Sequence, residues 1–184
     1  MNTPNIFLVG PMGSGKTAVG RQLARLLDMQ FYDSDAEIER ITGVDISFIF
    51  EKEGETRFRE RECEVIDGLT QLNGVVLATG GGAVLVAQNR EHLRSRGNVV
   101  YLRTSVEQQL ERTKHSRQRP LLHTADPERR LRELLAIRAP LYESIATVIV
   151  STDHRRVPTV AAEILKVLNL GQTKGLDEQM LDEH

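Results

Sequence analysis

Cysteine is nearly absent: Cys63 stands alone in 184 residues. A single thiol builds neither a disulfide framework nor a cysteine-based metal site, so a reducing compartment is expected, with the cytoplasm as the default. Tryptophan is missing, and the aromatic supply is five Phe and three Tyr. The stacking platforms of single-strand nucleic-acid binders are therefore poorly provided. No apolar run approaches the roughly 18–20 residues of a membrane span. The N-terminus carries no basic segment and only a four-residue apolar run, Ile6 to Val9, so no signal peptide is expected. Net charge is scarce as well. The 24 Lys+Arg and 26 Asp+Glu leave −2, which argues against a bulk-basic nucleic-acid surface. Lysine is short within that total: five of the 24 cations are lysine and nineteen are arginine. Genomic base composition is one reading of the bias. Arginines placed to clamp anions are the other.

What is present is an ordinary soluble composition, 40% apolar and 27% charged, long enough for one domain with a real core. Short apolar runs recur at Ile6–Val9, Phe31-Tyr32, Val75–Ala78, Asn98–Leu102 and Ala146–Val150. Helical patterns separate them. Val19, Leu23, Leu26 and Leu27 form one stripe; Phe58, Val65, Ile66, Leu69 and Leu72 form another; Val157, Val160, Ala161, Ile164, Leu165 and Leu168 form the last. Further helices are expected over about 105–113 and 128–143. Strands alternating with helices predict an α/β domain, a parallel sheet covered by helices. The domain spans 1–170, with insertions at 34–62 and 113–125 able to move separately, and an acidic tail, 171–184, is expected to be disordered. Residues 33–64 hold eleven acids and five bases; residues 112–138 hold eight bases and three acids. Phosphate partners are sought in the second stretch.

Gly10-Pro-Met-Gly13-Ser14-Gly15-Lys16-Thr17 matches G-x-x-x-x-G-K-[ST] at every fixed position, after a strand and before a helix. Glycines let successive N–H groups point at phosphate oxygens, and the helix N-terminus adds its dipole. Lys16 can reach the β- and γ-phosphates, and the Thr17 hydroxyl can ligate Mg²⁺. No Asn-Lys-x-Asp selects guanine, and no apolar strand ends in a Walker B acid, since Val75–Ala78 runs into Thr79-Gly80. Asp33 is the alternative acid. A small-molecule kinase becomes the leading idea.

Asp33-Ser34-Asp35 closes the second strand, at the end where α/β sheets bind ligands. Strand alternation would put both carboxylates on one side. Asp33 could hold Mg²⁺ and Asp35 could take a hydroxyl proton; the alternative is that Ser34 or Asp35 merely caps the following helix. Arg59 and Glu62 lie one turn apart, as a surface ion pair would. Gly80-Gly81-Gly82 offers bare N–H groups or merely a tight turn. Arg138-Ala-Pro140-Leu-Tyr142 places a proline inside a helical pattern, a kink that could aim a side chain. Arg119-Pro-Leu-Leu122 falls in an aperiodic stretch, where a lid arginine or an exposed loop arginine would sit.

Taken in order, five blocks carry a family resemblance. They are Gly10–Thr17, Phe31–Asp35, Phe58-Arg59 with Glu62, Ala78–Gly82, and Arg119–Leu122 with Arg138–Tyr142. The chain resembles the shikimate kinases of the bacterial cytoplasmic kind over residues 5–168. The resemblance implies a three-layer P-loop, nucleoside-monophosphate-kinase-like fold with a five-stranded parallel sheet in the order 2-3-1-4-5. It implies transfer of the ATP γ-phosphoryl to the 3-hydroxyl of shikimate. By matched position it implies Asp35, Lys16 and Arg119 as catalytic, and Asp35, Arg59, Glu62, Gly81, Gly82 and Arg138 on shikimate. It further implies Gly13, Ser14, Gly15, Lys16, Thr17, Ala18, Arg112, Arg119 and Arg155 on ATP, and Thr17 with Asp33 on Mg²⁺. A monomer acting on small molecules, without nucleic acid or membrane, is expected. The alternatives are a gluconate kinase-like enzyme and a non-catalytic nucleotide-binding regulator, which should lack the base and the acceptor arginines.

Overall fold

The computed structural model describes residues 4–114 and 126–170. Five strands, β1 (Ile6–Val9), β2 (Gln30–Asp33), β3 (Val75–Ala78), β4 (Asn98–Arg103) and β5 (Val148–Ser151), make one sheet in the order β2-β3-β1-β4-β5. Every pairing is parallel. Order and direction are those that the sequence and its resemblance imply. β1 is central because it is apolar on both faces; each of its four residues is at 0% exposure.

Alternation along the strands divides the core in two. Phe7, Val9, Leu77, Val99 and Tyr101 face Ile66 and Leu69 of α3 (Ile46–Thr70), Leu93 of α4 (Ala87–Arg96) and Tyr142 of α6 (Pro127–Ile145). Ile6, Leu8, Val76, Val100 and Leu102 face Leu23 of α1 (Lys16–Leu27) and Ile164 of α7 (Val157–Val167). The result is three layers, helix on sheet on helix. A third, smaller cluster joins Ile38 of α2 (Ser34–Thr42) to Ile49 and Phe58 of α3. It lies within the expected insertion 34–62 and holds that segment together apart from the sheet. The remaining α-helix, α5 (Val106–Thr113), packs against α6.

Several boundaries differ from expectation for local reasons. The fifth strand begins at Val148, not Ala146, because the Ala146 N–H bonds back to the Glu143 carbonyl and closes α6. The helix expected over 128–143 runs from Pro127 to Ile145: the Asp126 carboxylate accepts from the Arg129 N–H at 3.0 Å, and proline suits the first turn. The charged stretch after Asp33 is two helices, and the second is broken at Gly54 (φ 80°, ψ 173°). Apart from Thr113 and Lys114, the expected lid lies outside the described residues, as does the tail.

The sheet sets the site's position. Leu8 pairs with Ala78, Asp33 with Ala78 and Val9 with Tyr101, so Gly10, Asp33 and Thr79 emerge at one edge. β1 has β3 on one side and β4 on the other, the switch point where open parallel sheets form their ligand crevice.

Candidate active site

A cleft of about 500 Å³ opens at this edge, lined by the phosphate loop, Asp33, Asp35, Arg59, Glu62, the Gly80–Gly82 turn, Arg112 and Arg138. The loop leaves β1 and turns into α1 through Gly15, whose φ of 88° is left-handed and open to glycine at no steric cost. Lys16 Nζ donates to the carbonyls of Gly10 and Pro11, both at 2.8 Å, so its charge is held at the mouth of the loop. Ser14 is fully buried within the loop, while Thr17 and Ala18 line the cleft.

Asp33 and Asp35 meet the cleft by a route that strand alternation misses. Asp33 ends β2 and caps α2, its Oδ1 accepting from the N–H groups of Asp35 (3.1 Å) and Ala36 (3.3 Å). Its Oδ2 accepts from the Thr17 hydroxyl at 2.9 Å. Asp35 therefore sits in the first helical turn, not in a strand. The cap is thus Asp33 rather than Ser34 or Asp35, and the same carboxylate is the partner of Thr17. Asp35 Oδ1 is buried and has no hydrogen-bond partner. Burial, and then the nearby charges of Glu62 and Asp33, outweigh Lys16 and Arg59 and push its pKa from 3.8 up to about 7.

Across the cleft, Arg59 donates to Glu62 at 2.6 Å. The spacing suits a surface pair, but the helix turns inward here and the Glu62 side chain is 1% exposed. Burial raises the Glu62 pKa despite the opposing charge of Arg59, and its Oε1 is left without a partner. Arg138 is also buried, at 7% exposure. Burial, with the like charge of Arg59 adding to it, lowers the Arg138 pKa. A buried guanidinium and a half-buried one that repel each other could together receive an anion.

The glycine turn lies between these groups. The Gly80 N–H donates to buried Ser34 Oγ at 2.9 Å, and a Cβ on Gly80 would stand 2.7 Å from Glu62 Oε1 and 2.8 Å from Asp35 Oδ1. The unpartnered oxygens of both acids therefore border the same glycine, and a larger residue there would have to displace them. Gly81 abuts the Arg138 guanidinium and Gly82 that of Arg59.

Arg112 lines the cleft from behind the loop, donating to the Gly13 carbonyl (2.9 Å) and to the Thr152 carbonyl (2.6 Å). Arg155 stands beside Arg112, its backbone N–H donating to the same Thr152 carbonyl; its guanidinium pairs with Glu163 and donates to the Ser151 carbonyl rather than lining the cleft. Arg119 lies outside the described residues. Sequence reasoning missed an apolar wall of Met12, Ile46, Phe50 and Phe58. The Phe50 and Phe58 rings sit 4.6 Å apart. The i, i+4 spacing of Ile46 and Phe50 was the available signal.

A nucleotide loop and a chamber holding a shifted carboxylate share one cleft, so this is a P-loop phosphotransferase acting on a small molecule. The family model described as shikimate kinase matches residues 12–169. The chain belongs to the shikimate kinase family. It is 53% identical to the Methylococcus capsulatus shikimate kinase, across 94% of this chain and 97% of that one. Identity to the Pseudomonas syringae shikimate kinase is 58%, across 88% and 94%. Among solved structures, Acinetobacter baumannii shikimate kinase in complex with shikimate matches with a TM-score of 0.90 and 53% identity, covering 94% of this chain and 96% of that one.

Proposed function

We propose that the residues of this cleft carry the family's reaction, transfer of the ATP γ-phosphoryl to the 3-hydroxyl of shikimate, in the following roles. Arg59 and Arg138 grip the substrate carboxylate, with Glu62 fixing the Arg59 fork. The Gly81 and Gly82 backbone closes over the ring. Asp35 accepts the hydroxyl proton: a base poised near neutrality is matched to that task, and burial is what poises it. The observation that carries this reading is the unpartnered Asp35 Oδ1 in one cleft with the buried Arg138 and half-buried Arg59 guanidiniums.

Lys16 and the loop N–H groups of Gly13, Ser14 and Gly15 cradle the phosphates, and Arg112 flanks the adenine. Arg119 is proposed to meet the transferring phosphoryl group from the lid. The Thr17 hydroxyl and Asp33 carboxylate are hard oxygen donors side by side, which fits Mg²⁺. They would hold the ion, which when bound neutralises charge on the β- and γ-phosphates. The apolar wall of Ile46, Phe50 and Phe58 suits a carbocyclic ring and leaves an open-chain polyol such as gluconate with unpaired hydroxyls.

Purified protein with Mg-ATP is expected to release ADP with shikimate and little with gluconate or AMP. No shikimate-dependent release would sink the assignment. We further propose that the enzyme works as a cytoplasmic monomer, without nucleic acid or membrane; sedimentation at working concentration tests the first part.

A further inference from the structure

Tyr142 is larger than its place in the core requires. Its ring is fully buried and packs on Tyr101 at 5.0 Å between centroids. A phenylalanine would fill that space equally well. The hydroxyl instead reaches past the core to the substrate side and donates to the Gly81 carbonyl at 2.5 Å. The Arg138 guanidinium, one helical turn earlier on α6, faces the same oxygen. Donation to Gly81 orients the oxygen, so its lone pairs are turned toward Arg138.

We infer that Tyr142 is a positioning residue, which ties the glycine turn and Arg138 together so that backbone and guanidinium present one preformed receptor to the substrate carboxylate. The inference rests on Arg138 binding that carboxylate. Burial raises the Tyr142 pKa, which keeps the O–H available as a donor across the working pH range. Pro140, between them in the same helix, has no N–H to give the Ala136 carbonyl, which frees one bond in the turn that carries Arg138.

Tyr142→Phe keeps the ring and removes the tie. Loss of one such hydrogen bond predicts a shikimate KM raised about tenfold, with kcat and the ATP KM changed less than about twofold. A merely structural role would move both KM values together or only the melting temperature. In an Arg138→Lys background, Tyr142→Phe is expected to add less than about a further twofold, because the group it positions is gone.

The proposal is overturned if shikimate KM is unchanged in Tyr142→Phe, if the ATP KM rises equally, or if the effect is the same in the Arg138→Lys background. An unchanged shikimate KM in Arg138→Lys alone overturns the carboxylate assignment, and this proposal with it. Labelling the three tyrosines at 13Cζ in the unaltered chain gives a readout needing no variant. Shikimate is expected to shift a buried-tyrosine signal; no shift at saturation counts against the tie.

Discussion

Replacing Asp35 by asparagine should make the enzyme nearly inactive and, above neutral pH, more stable. The carboxylate's surroundings set the effect: burial, with Glu62 and Asp33 close by, moves its pKa from 3.8 to about 7. The folded state therefore holds this proton over a range where the unfolded chain releases it. The contribution to stability is fully present below about pH 4 and is lost as pH rises toward 7, because the unfolded state then binds fewer protons than the native one. At about 1.36 kcal/mol per pH unit, the gap corresponds to roughly 4 kcal/mol lost by pH 8, and roughly 2–3 kcal/mol of that between pH 5 and 8. Asparagine carries no charge to bury, so the variant escapes the loss. For a chain of this size the gain at pH 8 is on the order of 10 °C in melting temperature, shrinking by more than half at pH 5. Thermal melts of ligand-free wild type and Asp35→Asn at both pH values measure it, beside steady-state kinetics in which kcat falls on the order of a hundredfold or more. A variant no more stable than wild type at pH 8, or equally stabilised at both pH values, would refute the reasoning.

Three further outcomes follow from the same cleft. The wild-type kcat/KM for shikimate should fall about tenfold per pH unit below about pH 7, since Asp35 must be ionised to accept a proton; a profile flat down to pH 5 contradicts the role. Arg138→Ala should raise the shikimate KM on the order of a hundredfold while sparing ATP, and unchanged shikimate affinity in a titration rejects the carboxylate grip. Gly80→Ala should cost on the order of a hundredfold in turnover with ATP binding retained, because the new methyl pushes Asp35 and Glu62 apart; near-normal turnover would show that the two acids need not meet there.

The sheet was legible because a strand buried on both faces must be a continuous apolar run, and Ile6–Val9 and Val75–Ala78 are such runs. α4 left no stripe to read. Its sequence is polar and offers Leu93 as its buried apolar anchor, so tertiary packing rather than pattern makes it a helix. The phosphate loop was fully legible because backbone geometry dictates its glycines. The acceptor side was legible only as spacing: Arg59 and Glu62 one turn apart fit an exposed pair as well as a buried one. Which way their helix faced depended on contacts distant in sequence. Asp35 likewise required the cap made by Asp33 before its place in a helix, not a strand, became apparent.

The break at Gly54 divides the acceptor chamber mechanically. Arg59 and Glu62 stand on the half of α3 whose Ile66 and Leu69 are rooted in the main core, whereas Ile46 and Phe50 stand on the half before the break. Arg61 reaches back across the gap to grip Glu53 with two bonds of 2.9 Å. The proposed anion-binding pair thus stands on one piece and most of the apolar wall on the other, the two being joined by one glycine, this clip and the packing of Ile49 and Phe50 on Phe58. A chamber built this way can be retailored for a differently shaped ring by altering the outboard piece, while the anion grip stays anchored to the sheet.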